Sequence, residues 1–196
     1  DEAEIVCQFD KYQVESLGYV KCDVLGLRNL ATLHMASDFV KERDGRGIDF
    51  YGLKDEPDDM LTWQLFDNRD TLGIFQMESR GISDVAATIH PRSTSDVSNV
   101  IALYRPGVIG AGMLDTALAV ATGKERPKYL CPQLKPILEG TFGVSLFQEQ
   151  NMRIFVELGG FTEAESDRIR AAIGHRKVDQ LMACKPQFIS GCVMRG

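Results

Sequence analysis

Five cysteines stand in 196 residues, at positions 7, 22, 131, 184 and 192, and no two form a Cys-x-x-Cys pair. The odd count and scattered spacing exclude a disulfide framework and a zinc ribbon, and point to reduced thiols in a cytoplasmic chain. Histidine is scarcer: His34, His90 and His175 lie far apart with no His-x-x-x-His, which removes the zinc-helix reading. No apolar run approaches the roughly 18–20 residues of a membrane span, and no basic-then-apolar leader opens the sequence. Neither Gly-x-x-x-x-Gly-Lys-Ser/Thr nor Gly-x-Ser-x-Gly occurs, so P-loop and serine-hydrolase chemistry have no support. Positive charge is in deficit, with 22 Lys and Arg against 28 Asp and Glu, a net of −6. A broad basic surface for nucleic acid is thereby excluded; such a role must use a local cationic cluster or bound metal ions.

What is present is ordinary globular material, 44% hydrophobic and 26% charged, enough to rule out a chain that is mainly disordered. It opens on Asp1 rather than Met and reads as a piece of something longer. Val20, Cys22 and Val24 alternate with Lys21 and Asp23, the period of a half-buried strand over residues 19–24. Residues 27–43 carry Leu27, Leu30, Ala31, Met35, Phe39 and Val40 near helical spacing. Beyond a turn-rich stretch, Asp58 or Asp59 caps a helix bearing Leu61, Leu65 and Phe66. Residues 73–77 look extended. Helices are then expected over 81–89, 96–104, 112–122, 132–138, 148–158, 163–173 and from 178 onward, with a brief extended piece at 144–147. Pro106-Gly107 ends the second of these, Gly159-Gly160 closes the fifth, and Thr162-Glu163-Ala164-Glu165 is a capping box for the sixth. The fold class is α+β and mainly helical, with a boundary near Arg28 where the strand-bearing start gives way to helices.

Several residues could carry chemistry. Lys21 and Asp23 fall on one face of the expected strand; they are either a salt bridge or a metal ligand beside a phosphate-binding cation. Arg168, Arg170, His175, Arg176 and Lys177 form the densest cationic spot in a negatively charged chain. It is either a solvated helix end complementing the dipole or a contact for polyphosphate or nucleic acid. Arg105 sits at a Pro-Gly turn, placed to cap a helix or to meet a phosphate. Gln148, in Phe147-Gln148-Glu149-Gln150, belongs to either a hydrogen-bonding cluster or a plain helix start, and residues 75–80 share that ambiguity. The acidic run 55–59 lacks an apolar strand to hold it and reads as a solvated loop.

Taken in order, these segments resemble the C-family replicative polymerases, the bacterial DNA polymerase III alpha subunits. Gln8-Phe9-Asp10 followed by Gly18-Tyr-Val-Lys-Cys-Asp-Val-Leu-Gly-Leu-Arg-Asn-Leu30 is similar to that family's last palm segment. Asp70-Thr-Leu-Gly-Ile-Phe-Gln-Met-Glu-Ser-Arg-Gly81, Ala102-Leu-Tyr-Arg-Pro-Gly107 with Gly112-Met113, Phe142-Gly143 with Phe147-Gln-Glu-Gln150, and residues 167–177 match four further signatures. The resemblance covers nearly the whole chain in collinear order. It implies that residues 1–28 end a palm domain and residues 29–196 begin a helical fingers domain.

The resemblance also implies a chemistry. The family's palm is like that of polymerase-beta-type nucleotidyltransferases, in which three aspartates hold two magnesium ions. Asp23 matches the third aspartate, and the other two belong to an upstream Pro-Asp-x-Asp stretch that this sequence does not contain. Lys21 would meet the nucleotide's phosphates, and Arg170, with Gln148, Arg105, His175, Arg176 and Lys177, would face the incoming triphosphate. Ala171 stands where a second arginine is usual, and Cys22 and Val24 where aromatic residues are common. The implied partners are primer-template DNA, deoxynucleoside triphosphates, the rest of the polymerase chain, a sliding clamp and other replisome subunits, all in the cytoplasm and none in a membrane. The alternative is a polymerase-derived segment with a non-catalytic DNA-binding or assembly role, which Ala171 favours.

Overall fold

The computed structural model describes residues 6–20, 22, 24–50, 52 and 59–195. They fall into two compact units, residues 1–52 and 53–196. Eleven α-helices and no strand occur among the described residues.

The first unit holds α1 (Lys11–Ser16) and α2 (Arg28–Asp44). The short α1 rests on a reciprocal cap. Asp10 Oδ1 accepts the Tyr12 and Gln13 amides at 2.8 and 2.9 Å, and Gln13 Oε1 accepts the Asp10 amide at 3.0 Å. The Asp-x-x-Gln pattern was available as a signal, but six residues are too few for a readable apolar stripe. The strand expected over 19–24 is not found: Tyr19, Val20, Cys22 and Val24 are irregular and exposed, and Lys21 and Asp23 lie outside the described residues. An alternating segment becomes a strand only where a neighbour takes its backbone hydrogen bonds, and no such neighbour is present among the described residues. Helix α2 forms where its spacing indicates and ends at Gly45 in the left-handed region. Its one buried side chain is Ser37, whose hydroxyl takes the Ile48 amide at 2.9 Å and ties the following loop back onto the helix. Leu27, Leu30, Met35 and Phe39 are exposed.

The second unit is a helical array. Helix α3 (Met60–Asp67) starts at Asp59, whose carboxylate accepts the Leu61 amide and the Thr62 hydroxyl, each at 3.0 Å; residues 55–58 of the acidic run lie outside the described residues. Residues 73–77 are not extended. Ile74 and Met77 donate to the carbonyls of Thr71 and Ile74, and Gln76 has φ of 61°. These are two successive tight turns, which drop Met77 into the core, where it is fully buried. The buried Thr71 hydroxyl donates to the Met77 carbonyl at 2.7 Å and closes the loop.

Helices α4 (Arg80–Ile89), α5 (Thr94–Leu103) and α7 (Met113–Ala121) wrap the main core. Ile82, Val85, Ala86 and Ile89 repeat at helical spacing on α4 and pack with Trp63, Phe66, Val100, Leu103, Leu114 and Ala117. Each large side chain so buried contributes about 1.5–3 kcal/mol. Pro106 both ends α5 and opens α6 (Pro106–Gly110), being tolerated at a first helical position where no donor is lost. Likewise Pro132 opens a 3-10 turn, Pro132–Leu134, that leads into α8 (Lys135–Leu138).

The last three helices are α9 (Gln148–Glu157), α10 (Glu163–Gly174) and α11 (Val178–Arg195). Phe155 packs edge-on against Phe161 and Phe188, with centroids 5.6 and 5.2 Å apart. Gly191 lets α11 approach closely: a Cβ there would overlap the Gly159 carbonyl oxygen. No helix of the described residues is long and apolar enough to cross a membrane.

Two polar clusters join these parts. Gln150, buried at the start of α9, donates through Nε2 to the Ile137 carbonyl at 3.0 Å and to the Thr141 hydroxyl at 2.8 Å. Its Oε1 accepts the amides of Leu146 and Phe147 at 2.8 and 3.0 Å. Replacing it by leucine leaves these groups without their partner, so Gln150→Leu is expected to cost ~3 kcal/mol in urea denaturation; an unchanged midpoint would contradict this assignment. At the other end, Asp67 accepts Arg92 Nη1 and Nη2 at 3.2 and 2.8 Å and meets His90 Nδ1 at 2.7 Å. The Arg92 guanidinium first, and His90 second, hold the Asp67 carboxyl below the usual carboxylate range. A depressed carboxyl contributes stability that is complete above its unfolded value and is lost as pH falls through the folded one. The melting temperature is therefore expected to drop on acidification below about pH 4, and Asp67→Asn to flatten that drop.

Candidate nucleotide-facing site

Antiparallel packing of α9 on α10 is set by one buried contact. Ser166, fully buried, donates its hydroxyl proton to the Met152 carbonyl at 3.0 Å. One turn along each helix, in opposite directions, lie Gln148 and Arg170, since side chains four apart share a helix face. Arg170 Nη1 donates to Gln148 Oε1 at 3.4 Å, a long contact, while Nε donates to Asp167 Oδ1 at 2.8 Å. Gln148, Asn151, Arg170 and Ile173 line a small cleft between the two helices. Asn151 is itself held, its Oδ1 accepting the Ser145 hydroxyl at 2.9 Å. The thread from Gln150 thus runs outward: it pins the first turn of α9, which presents Gln148, which meets Arg170.

The α10–α11 turn carries the remaining cations. His175 caps α10 with its amide on the Ala171 carbonyl; Arg176 takes φ of 55°, and the Lys177 amide returns to the Ala172 carbonyl at 2.9 Å. The turn reverses the chain within three residues, leaving His175, Arg176 and Lys177 exposed.

Arg105 is placed elsewhere. It is the N-terminal flanking residue of α6, and it lines a groove of about 360 Å³ with Gln76, Ser79, Ile82, Ile101 and Tyr104. That groove joins the residues 70–81 and 102–107 signatures, and Gly81 is the reason they fit. A Cβ at Gly81 would overlap the Tyr104 hydroxyl.

The structure therefore brings Arg170 and Gln148 together and puts Arg105 in a separate groove. Lys21 and Asp23 lie outside the described residues. Among the described residues no group of three or more His, Cys, Asp or Glu could hold a metal ion. Two members of the Arg170 neighbourhood were not singled out from sequence. Asp167 was readable, standing three residues before Arg170 on a helix; Asn151 was not, because only the packing of α9 on α10 brings it to the cleft.

Residues 29–196 match the family model described as the bacterial DNA polymerase III alpha subunit finger domain. The chain is 41% identical over 195 residues to the DNA polymerase III subunit alpha of Aquifex aeolicus, covering 100% of this chain and 17% of that protein. It is 34% identical over 203 residues to the same subunit of Pseudomonas aeruginosa, covering 98% of this chain and 17% of that protein. It is 38% identical over 176 residues to an error-prone DNA polymerase of Symbiobacterium thermophilum, covering 90% of this chain and 16% of that protein.

Gly81→Ala is expected to destabilise the chain by ~2 kcal/mol through overpacking. Tyr104→Leu in the same chain makes room for the added methyl, so the double mutant loses less than the sum of the two single changes in a urea double-mutant cycle. Strict additivity would show that the two residues are not in contact.

Proposed function

The chain belongs to the bacterial DNA polymerase III alpha subunit family, and on that premise we propose that the longer protein is a DNA-directed DNA polymerase to which this segment contributes nucleotide-facing fingers residues. The observation that supports this reading is the Arg170–Gln148 pair. Two separate sequence signatures converge on one cleft and set a guanidinium in its wall, and a planar guanidinium suits phosphate oxygens.

The reaction is phosphoryl transfer. A primer 3′-hydroxyl oxygen bonds to the alpha-phosphorus of a deoxynucleoside triphosphate, the bond from that phosphorus to the bridging oxygen breaks, and pyrophosphate leaves. Asp23 is the one magnesium ligand within this segment, with two further aspartates upstream in the palm. Magnesium, when bound, supplies Lewis acidity for the hydroxyl and the leaving oxygens. Lys21 and Arg170 contact the triphosphate. His175, Arg176 and Lys177 add positive potential at the α10–α11 turn, and Arg105 reaches phosphate from its own groove. Residues 1–28 close the palm and residues 29–196 open the fingers. Contacts to duplex backbone carry no sequence information, so primer-template DNA is bound without sequence preference. A sliding clamp and other replisome subunits complete the assembly, in the cytoplasm.

Primer extension by the complete chain tests this. Asp23→Ala is expected to abolish extension while the melting temperature stays unchanged, and this segment alone is expected to be inactive. Extension by the Asp23→Ala enzyme, or by the segment alone, would place the catalytic carboxylates elsewhere. A complete chain that folds and binds primer-template but never extends it would instead favour a non-catalytic assembly role.

A further inference from the structure

We infer that Asp167 is the positioning residue of Arg170, fixing from within α10 the direction in which its guanidinium meets the triphosphate. The inference rests on the nucleotide-facing role proposed above and adds the group that makes that role directional. An arginine side chain has four rotatable bonds, and at a helix surface it sweeps a wide arc. Asp167 precedes Arg170 by three residues and so lies on the same helix face. It engages only Nε, at 2.8 Å, while Gln148 on the neighbouring helix takes one Nη1 proton at 3.4 Å. Two acceptors from two helices thus bracket the guanidinium, and Nη2 has no protein partner among the described residues. The group is only 37% exposed and forms part of the cleft wall.

Other arginines of the chain show what sets this pair apart. Arg43 and Arg92 place Nη2 on the carboxylates of Asp44 and Asp67, so their outer edges are already used. Arg69 and Arg153 make the same single Nε contact to a carboxylate as Arg170, at 2.6 and 2.9 Å, but they are more exposed and lack a second acceptor from another helix. Only at Arg170, among the described residues, is the inner nitrogen fastened, one side braced across a helix interface and the outer nitrogen left without a protein partner, in a residue that lines a cleft.

The charge balance supports orientation rather than attraction. A carboxylate beside a phosphate-binding arginine opposes the incoming anion, so its benefit lies in geometry. An exposed ion pair three residues apart also adds little to folding. Stability and function are therefore separable at this position.

The experiment is single-nucleotide incorporation by the complete polymerase, with KM for the deoxynucleotide and kcat measured separately. Asp167→Ala is expected to raise KM about tenfold while kcat stays within about threefold. Asp167→Asn keeps an oxygen acceptor without the charge and is expected to return KM to within about threefold of the parent enzyme. Both variants should melt within about 1 °C of the parent. If Arg170→Ala raises KM and Asp167→Ala does not, the positioning role is overturned while the nucleotide-facing reading stands. A lower KM for Asp167→Ala would show Asp167 to be a competing anion, and Asp167→Asn behaving like Asp167→Ala would show that charge matters and acceptor geometry does not; either result overturns the inference. An unchanged KM for Arg170→Ala would overturn the nucleotide-facing reading itself.

Discussion

The second unit depends on one buried amide. Gln150 spends both ends of its side chain on backbone and hydroxyl groups that would otherwise be buried without partners. It joins the end of α8, the turn at Thr141, the approach to α9 and the first turn of α9. The network extends: the Thr141 hydroxyl donates to the Val144 carbonyl at 2.7 Å, and Asn99 of α5 donates to the Gly140 carbonyl at 2.9 Å. A polar group in this position cannot be exchanged for an apolar one of similar size without removing the partner of four buried or half-buried groups. The brace therefore fixes geometry in a region where side-chain packing alone would permit α9 to slide.

That geometry is spent on the cleft. With the first turn of α9 pinned by Gln150 and the helix pair registered by Ser166 on Met152, Gln148 and Arg170 meet without a large interface of their own. The neighbouring turn at Arg176 adds cations without burying them. The Arg105 groove is built by a different device, the close seating of Tyr104 on Gly81. The chain thus presents cations at two places: Arg170 is braced by Gln148 and the charged Asp167, and Arg105 sits in the groove built by the uncharged seating of Tyr104 on Gly81.

The negative net charge is compatible with this because it is unevenly spent. Arg69, Arg80, Arg92, Lys128 and Arg153 are paired with carboxylates. Arg105, Arg176 and Lys177 have no carboxylate partner among the described residues. Screening limits exposed charges to about 8–10 Å at ordinary ionic strength. The potential at the Arg170 cleft is accordingly set by the local arrangement, and the distant acidic residues count for little.

Local signals were legible where the chain itself supplies the physical cause. Asp59 and Thr162 start helices because a side-chain oxygen accepts amides a few residues on, and the repeat of Ile82, Val85, Ala86 and Ile89 marks a buried face; both depend only on neighbours in sequence. The ordered signatures pointed to the family, and the match over residues 29–196 bears that out. The strand over residues 19–24 and the extended segment at 73–77 were misleading for opposite reasons: the first needs a pairing partner that the pattern cannot supply, and the second is bent by turns that bury Met77. The sequence by itself determined where most helices begin and end, which faces are apolar and which residue types could meet a phosphate. Tertiary structure decided that Gln150 is a brace and Gln148 a cleft residue, and that Arg170 and Arg105 serve different grooves. Those outcomes turn on the register of α9 against α10 and the seating of Tyr104 on Gly81, contacts between residues about 20 apart along the chain, which no local periodicity encodes.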